Sequence, residues 1–420
     1  MKKFNVSDFG AIGDGITMNT VSIQAAIDAC EKQGGGSVVI NSGVFLCGSI
    51  TLKSNVNLHI EENAVLLGSP NVEDYPEKEN LKHVNTNYLP RWQNASFIFA
   101  EECEKISITG KGKINCNGTY FTVVSPDSTT WKYRRINKPT PPRVVFFAGC
   151  KNILITDITM TNQPAGWSYW IHDCDNVTIT NITIDADVNY PNNDGVHINS
   201  SRNVTISDSN ISCGDDCIII RANNASLKEN KICENVTVTN CNLTSYSSAV
   251  RIGWVQDGTI RNCMLSNLTM YDCSTGISVL IPNTERTEKG TDTPGSDVGR
   301  EATFIENISF DNIKMDKQCS YPVYIDICDN EKVLFKGVNG LKFSSLHSKG
   351  PEMPFIKGRK DCPVKNINFS DCSFTITDGS EFDNRSLHGA TSLPDLNPHH
   401  PMTIMYAENI SFNNTTFGNN

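Results

Sequence analysis

The chain has 420 residues, 38 % of them hydrophobic and 20 % charged, so it can bury a core and is neither disordered nor fibrous. Its net charge of −10, from 36 Lys+Arg against 46 Asp+Glu, argues against a nucleic-acid binder that works through a basic field. No stretch approaches the ~18–20 consecutive apolar residues of a membrane helix.

At the amino end, Lys2 and Lys3 have no apolar segment behind them, so no export signal is visible. The expected location is the cytoplasm, acting on imported oligosaccharides, or outside it or in the periplasm if a leader has been trimmed. The first predicted element is a capping helix. Ile23, Ala26, Ile27 and Cys30 follow the i, i+3, i+4, i+7 spacing of one apolar face. Thr20 is the expected N-cap, and Gly34-Gly35-Gly36 stops the helix, closing a cap region of about residues 1–36.

Helical periodicity then gives way to a repeat. Asn152-Ile153-Leu154-Ile155-Thr156 returns as Asn176-Val177-Thr178-Ile179-Thr180, Asn203-Val204-Thr205-Ile206-Ser207 and Asn235-Val236-Thr237-Val238-Thr239, in steps of 24, 27 and 32 residues. It continues at Asn307-Ile308, Asn366-Ile367 and Asn409-Ile410. Periods of ~20–50 residues mark a solenoid or propeller. Period-2 alternation separated by Asn, Asp and Gly marks strands buried on one face and joined by turns. Short strands in coils too brief for propeller blades predict an all-β, single-stranded right-handed parallel β-helix. The reading is one domain over 1–420, with Asn at each corner stacking as a ladder that bonds the backbone of the next coil. Two polar stretches, about 283–300 and 378–402, read as long loops. The sixteen cysteines include Cys103, Cys150, Cys174 and Cys233, each just before a short apolar segment. They are read as stacked core residues with mostly free thiols.

Two successive coils concentrate carboxylates: Pro191-Asn192-Asn193-Asp194-Gly195-Val196-His197 and Cys213-Gly214-Asp215-Asp216-Cys217. Asp194 and Asp215 lie 21 residues apart, about one coil, which predicts neighbours on adjacent strands. Asp215 and Asp216 cannot both point outward from a regular strand, so a bend is expected at Gly214. Clustered carboxylates repel, raising at least one pKa and giving an acid beside a base, as glycoside hydrolysis requires. Solvated turn aspartates and a calcium site are the alternatives.

Asn193-Asp194-Gly195-Val196-His197 resembles the Asn-Thr-Asp-Gly signature of glycoside hydrolase family 28, the polygalacturonases and rhamnogalacturonases. Gly214-Asp215-Asp216-Cys217 matches that family's Gly-Asp-Asp-Cys motif. The opening, Val6-Ser7-Asp8-Phe9-Gly10 onward, is similar to the entry of these β-helices. The resemblance implies an inverting hydrolase in which Asp215 protonates the leaving oxygen while Asp194 and Asp216 activate water. The chain departs from polygalacturonases where they carry Gly-His-Gly and Arg-Ile-Lys. Ser248 stands in place of the histidine, and Ser278 and Leu280 in place of the arginine and lysine that hold a galacturonate carboxylate. Members acting on rhamnogalacturonan lack these residues too, because a neutral rhamnose occupies that subsite.

A pectic, rhamnogalacturonan-type oligosaccharide is therefore the expected substrate, with Arg251 clamping a uronate and Ser248 and Asn193 as further contacts. Trp170 and Trp254 are candidate sugar platforms; His172 and His197 read as structural. No metal-ligand spacing appears, and no cofactor, nucleic-acid or membrane partner is expected. A polygalacturonase-type exo-hydrolase, a polysaccharide lyase on the same fold and a non-catalytic carbohydrate-binding solenoid are the rival readings.

Overall fold

The computed structural model describes residues 2–85, 94–125, 133–135, 143–255, 257–283, 301–318, 320–377 and 402–419. The loops expected over 283–300 and 378–402 lie outside these residues, apart from Asn283 and Met402. The fold class is the expected right-handed parallel β-helix with an N-terminal helix. The chain divides into two compact units, Met1–His197 with Arg202–Gly214 and Ile198–Ser201 with Asp215–Asn420.

Helix α1 (Thr20–Lys32) buries Ile23, Ala26, Ile27 and Cys30, the four residues of its apolar stripe. Its N-cap is Asn19, not Thr20. The Asn19 amide braces the incoming chain, accepting from the Ile12 amide at 2.7 Å and donating to the Thr17 carbonyl at 2.6 Å. Thr20 lies inside the helix, and its hydroxyl accepts from the Gly48 amide at 2.8 Å. The glycine triplet ends the helix, with the Gly35 amide returning to the Cys30 carbonyl at 2.9 Å.

In the first unit, alternation places one apolar residue of each coil above the next: Ile153 beside Val177 and Val204, and Ile155 beside Ile179 and Ile206. In the second unit a column that starts with Val238 and Leu265 turns aromatic. Phe310, Phe343, Phe369 and Phe412 stack with ring centroids 4.8, 4.6 and 5.1 Å apart. Such stacks bury large rings in offset contact as well as excluding water.

The corner asparagines take left-handed backbone, with φ of 58°, 59° and 54° at Asn152, Asn176 and Asn203. Among non-glycine residues, asparagine and aspartate visit this region most readily. The ladder differs from the expected side-chain-to-backbone pattern. Asn203 donates to the Asn176 side-chain oxygen at 3.1 Å, and Asn176 to that of Asn152 at 3.2 Å. The second unit repeats this at Asn267 and Asn240, 3.2 Å, and at Asn366 and Asn339, 2.7 Å. All of these except Asn339 have left-handed backbone, and each amide meets its counterpart one coil away.

Other parallel strands carry Trp170, Ser248 and Arg251 and border the aspartates. The first unit contributes β1 (Ser96–Glu101), β2 (Arg143–Ala148) and β3 (Trp167–His172). They run in a register that aligns Phe99, Phe146 and Trp170. The second unit contributes β4 (Ile218–Arg221), β5 (Ser248–Ile252), β6 (Thr275–Ile281), β7 (Val323–Ile327) and β8 (Phe355–Lys357). There Ile219, Arg251, Ser278, Tyr324 and Phe355 form one row, and Leu280, Asp326 and Lys357 another.

Candidate active site

Asp194 belongs to the first unit. The amides of Ser168 and Tyr169 in β3 donate to the Asp194 and Gly195 carbonyls at 2.8 and 3.0 Å, which fixes residues 194–195 alongside β3. Asp194 is 5 % exposed, with Oδ2 3.7 Å from His197 Nδ1. The His197 ring stacks on Trp167 at 3.7 Å, and the Arg143 guanidinium lies 3.4 Å from the Trp167 ring centroid. A buried cation, an indole and an imidazole thus lead to the carboxylate.

Asn193 does not reach outward as a substrate contact. It is fully buried, donating to the Asp187 carbonyl at 2.8 Å and accepting from the Gly214 amide at 2.6 Å. It therefore ties the Asp194 turn to the residue that precedes Asp215. The bend at 214–215 is present, and no other residue fits there. A methyl group at Gly214 would stand 2.1 Å from the Tyr190 carbonyl oxygen and 2.9 Å from Asn193 Oδ1.

Asp215 and Asp216 belong to the second unit, 3 % and 2 % exposed. The Ser245 hydroxyl donates to the Asp215 carbonyl at 2.5 Å, and the Asp216 amide to Asp215 Oδ1 at 3.1 Å. Asp216 is held on both oxygens. Oδ1 accepts from the Ser247 hydroxyl at 2.9 Å and the Ser248 amide at 3.0 Å, and Oδ2 lies 2.8 Å from Arg251 Nε. Burial pushes the Asp216 carboxyl above its usual range; Arg251 pulls it back, and the charge of Asp215 pushes it up again.

Arg251 was expected to hold a uronate. Its guanidinium instead faces Asp216, with Nη2 3.4 Å from the Ser247 hydroxyl and the Trp254 ring centroid 4.7 Å from Cζ. A buried arginine beside a buried carboxylate is held there by the cost of leaving either charge unpaired. Trp254 is half-buried and packs against Leu280, Tyr321, Tyr324 and Phe355. Trp170 is not a sugar platform: it is 2 % exposed, stacked on Phe146 at 4.2 Å and covered by Leu81 and Val84. His172 is fully buried, with Nε2 3.2 Å from the His83 carbonyl.

Ser248 lies at the edge of a pocket lined by Ser247, Ser274, Thr275, Ser278, Leu280 and Tyr324. The Ser278 hydroxyl donates to Ser248 Oγ at 3.0 Å, and the Tyr324 hydroxyl to Asp326 at 2.9 Å. In the row of Leu280 the nearest cation is Lys357, which sits between Asp326 at 3.5 Å and Asp329 at 3.1 Å. The pocket therefore presents hydroxyls and one aliphatic side chain, with no cationic side chain in its lining. Ser247, Tyr324 and Arg143 were not singled out from the sequence. Ser247 sits beside a chosen residue, whereas the other two come to the site only through coil register. Among the described residues, no three His, Cys, Asp or Glu side chains gather to hold a metal ion.

The two aspartate motifs stand just ahead of strands that begin at Val196 and Ile218 of the parallel β-helix. The model of Glycosyl hydrolases family 28 matches residues 30–233 of the chain. Among its relatives is a probable polygalacturonase of Vitis vinifera, 27 % identical over 283 residues, 65 % of this chain and 55 % of that protein. Another is an exo-poly-alpha-D-galacturonosidase of Dickeya chrysanthemi, 29 % identical over 257 residues, 52 % of this chain and 41 % of that protein. These matches thus span about half the length of those relatives. In fold, the chain is similar to a hyperthermoactive exopolygalacturonase from Thermotoga maritima. The TM-score is 0.70 and the identity 23 %, with 90 % of this chain and 87 % of that one covered.

Proposed function

We propose that the protein hydrolyses glycosidic bonds in pectic oligosaccharides of the rhamnogalacturonan type, with inversion. Asp215 donates a proton to the leaving oxygen, and Asp194 and Asp216 activate the attacking water, the acid–base division that inverting glycosidases use. Arg251, Ser247 and Ser248 favour the ionised form of Asp216 against the burial that opposes it, which suits a base. The observation that carries the substrate reading is the set of side chains beside Ser248: Ser278 and Leu280 add no charge, and the neighbouring Arg251 is paired with Asp216. A galacturonate carboxylate set against them would meet hydroxyls and Leu280 but no unpaired cation to offset its desolvation. A neutral sugar with hydroxyls and a methyl group suffers no such penalty. The names of the sequence relatives favour a second reading, hydrolysis between two galacturonates. On the first reading the protein works in the cytoplasm on imported fragments, and free, buried thiols such as Cys103, Cys150, Cys233 and Cys263 suit a reducing compartment.

Product analysis on defined oligosaccharides separates these readings. Cleavage of alternating rhamnose–galacturonate chains, with little action on oligogalacturonates, is the expected result. Preference for oligogalacturonates would overturn the neutral-subsite reading, and an unsaturated product absorbing in the ultraviolet would replace hydrolysis by a lyase reaction.

A further inference from the structure

The face of β1, β2 and β3 that carries Phe99, Phe146 and Trp170 is the kind of surface on which sugar rings stack, yet it is already occupied. Alternate residues Ile98, Val145 and Tyr169 point to the opposite face and are fully or almost fully buried. Over the aromatic row lies the segment 78–84, which inserts Leu81, 3 % exposed, and Val84, fully buried, among the three rings.

This segment is anchored along its length. Lys78 exchanges two 2.8 Å hydrogen bonds with the Asn94 side chain, and its ammonium donates to Ser49 Oγ at 2.8 Å while lying 5.2 Å from the Phe99 ring centroid. Glu101, from the end of β1, accepts from the Lys82 and His83 amides at 2.7 and 3.0 Å. The His83 ring is 2.5 Å from Asp173 Oδ2 and 3.4 Å from Glu102, and Lys82 pairs with Glu102. It rests on Gly149, where any Cβ would stand 2.4 Å from the ring. The cover is therefore built into three successive coils.

Beyond the cover the row continues into the site. Trp167 packs against the same cluster at a centroid distance of 5.6 Å from Trp170, His197 stacks on Trp167, and Asp194 follows. The geometry points to residues 78–84 as a wall that ends the substrate groove one coil before Asp194, so that the protein acts at chain ends and the terminal sugar abuts Trp167. This rests on the proposal that Asp194 belongs to a glycosidase site. It adds what that proposal leaves open, namely where along a polymer the cut falls.

The test uses whichever pectic polymer the full chain cleaves, so the identity of the bond bears on the substrate reading and the length of the products on the wall. Viscosity loss is measured per reducing end formed, together with product size from the first minutes. For the wild type, short products of uniform size and viscosity falling only in proportion to hydrolysis are expected. Replacing residues 79–84 with glycine and serine should give longer early products and a several-fold larger viscosity loss per cut. The pair Leu81→Ser and His83→Ala, which keeps the backbone, should shift both in the same direction if the full replacement does not fold. Steep early viscosity loss by the wild type overturns the wall, as does an unchanged product pattern from either variant that still melts cooperatively.

Discussion

At the scale of single residues, the two aspartate motifs were legible because each is a contiguous run whose chemistry is local. What surrounds them was not, because neighbours come from other coils. Arg251 shows the difference: its charge near the aspartates was visible, but only the register of β4 and β5 turns it toward Asp216. If Asp215 is the acid, Asp215→Asn should lower turnover ~10²–10⁴-fold while the melting temperature holds; retained activity would remove it from that role. For Arg251 the expected signature is a pH profile. Asp216 must be ionised to act as a base, burial raises its pKa, and Arg251 opposes that rise. Arg251→Ala should therefore move the acid limb of turnover to higher pH, by about one unit or more. A uronate clamp would instead raise KM for acidic oligosaccharides and leave the limb in place.

At the scale of elements, alternation identified the strands but not which apolar face stays open. Trp170 looked available for that reason, since segment 78–84 has no periodic pattern and its packing onto β2 and β3 has no sequence signal. The helix was legible by its stripe, whereas its cap was not, because Asn19 is selected by contacts to Ile12 and Thr17. The His83 anchor should make the segment sensitive to pH. The hydrogen bond to Asp173 raises the His83 pKa most, burial opposes, and Glu102 and Glu101 add to the rise; Lys82, also nearby, is paired with Glu102. A histidine whose folded pKa is raised contributes stability that is full below its unfolded value of about 6.5 and is lost as pH rises through the folded value. Amide exchange of residues 81–84, taken relative to the intrinsic exchange rate at each pH, should accordingly quicken across that upper range. Asp173→Asn should flatten the dependence, and a pH-independent wild type would show that the pair does not anchor the segment.

At the scale of the whole chain, the repeat made the fold class readable long before any single contact, because every coil restates the same corner and the same alternation. The cysteines belong to this scale. Burial pushes the thiols of Cys47 and Cys263 up to about 12, which leaves little thiolate to react. Titration of the unreduced protein should count few thiols when native and close to sixteen when denatured; a denatured count near zero would mean bridges and an oxidising compartment.

The asparagine rungs also act as a length gauge. Asn240 and Asn267 are bonded across 27 residues, whereas Asn262 to Asn307 and Asn267 to Asn312 each span 45. Both longer spans contain the same added stretch, between Asn267 and Asn307, and the amides meet regardless. A coil can thus lengthen between rungs while the rungs keep their registration. Such a scaffold lets excursions grow, shrink or be exchanged without retuning the walls, so new substrate preferences can arise by insertion alone.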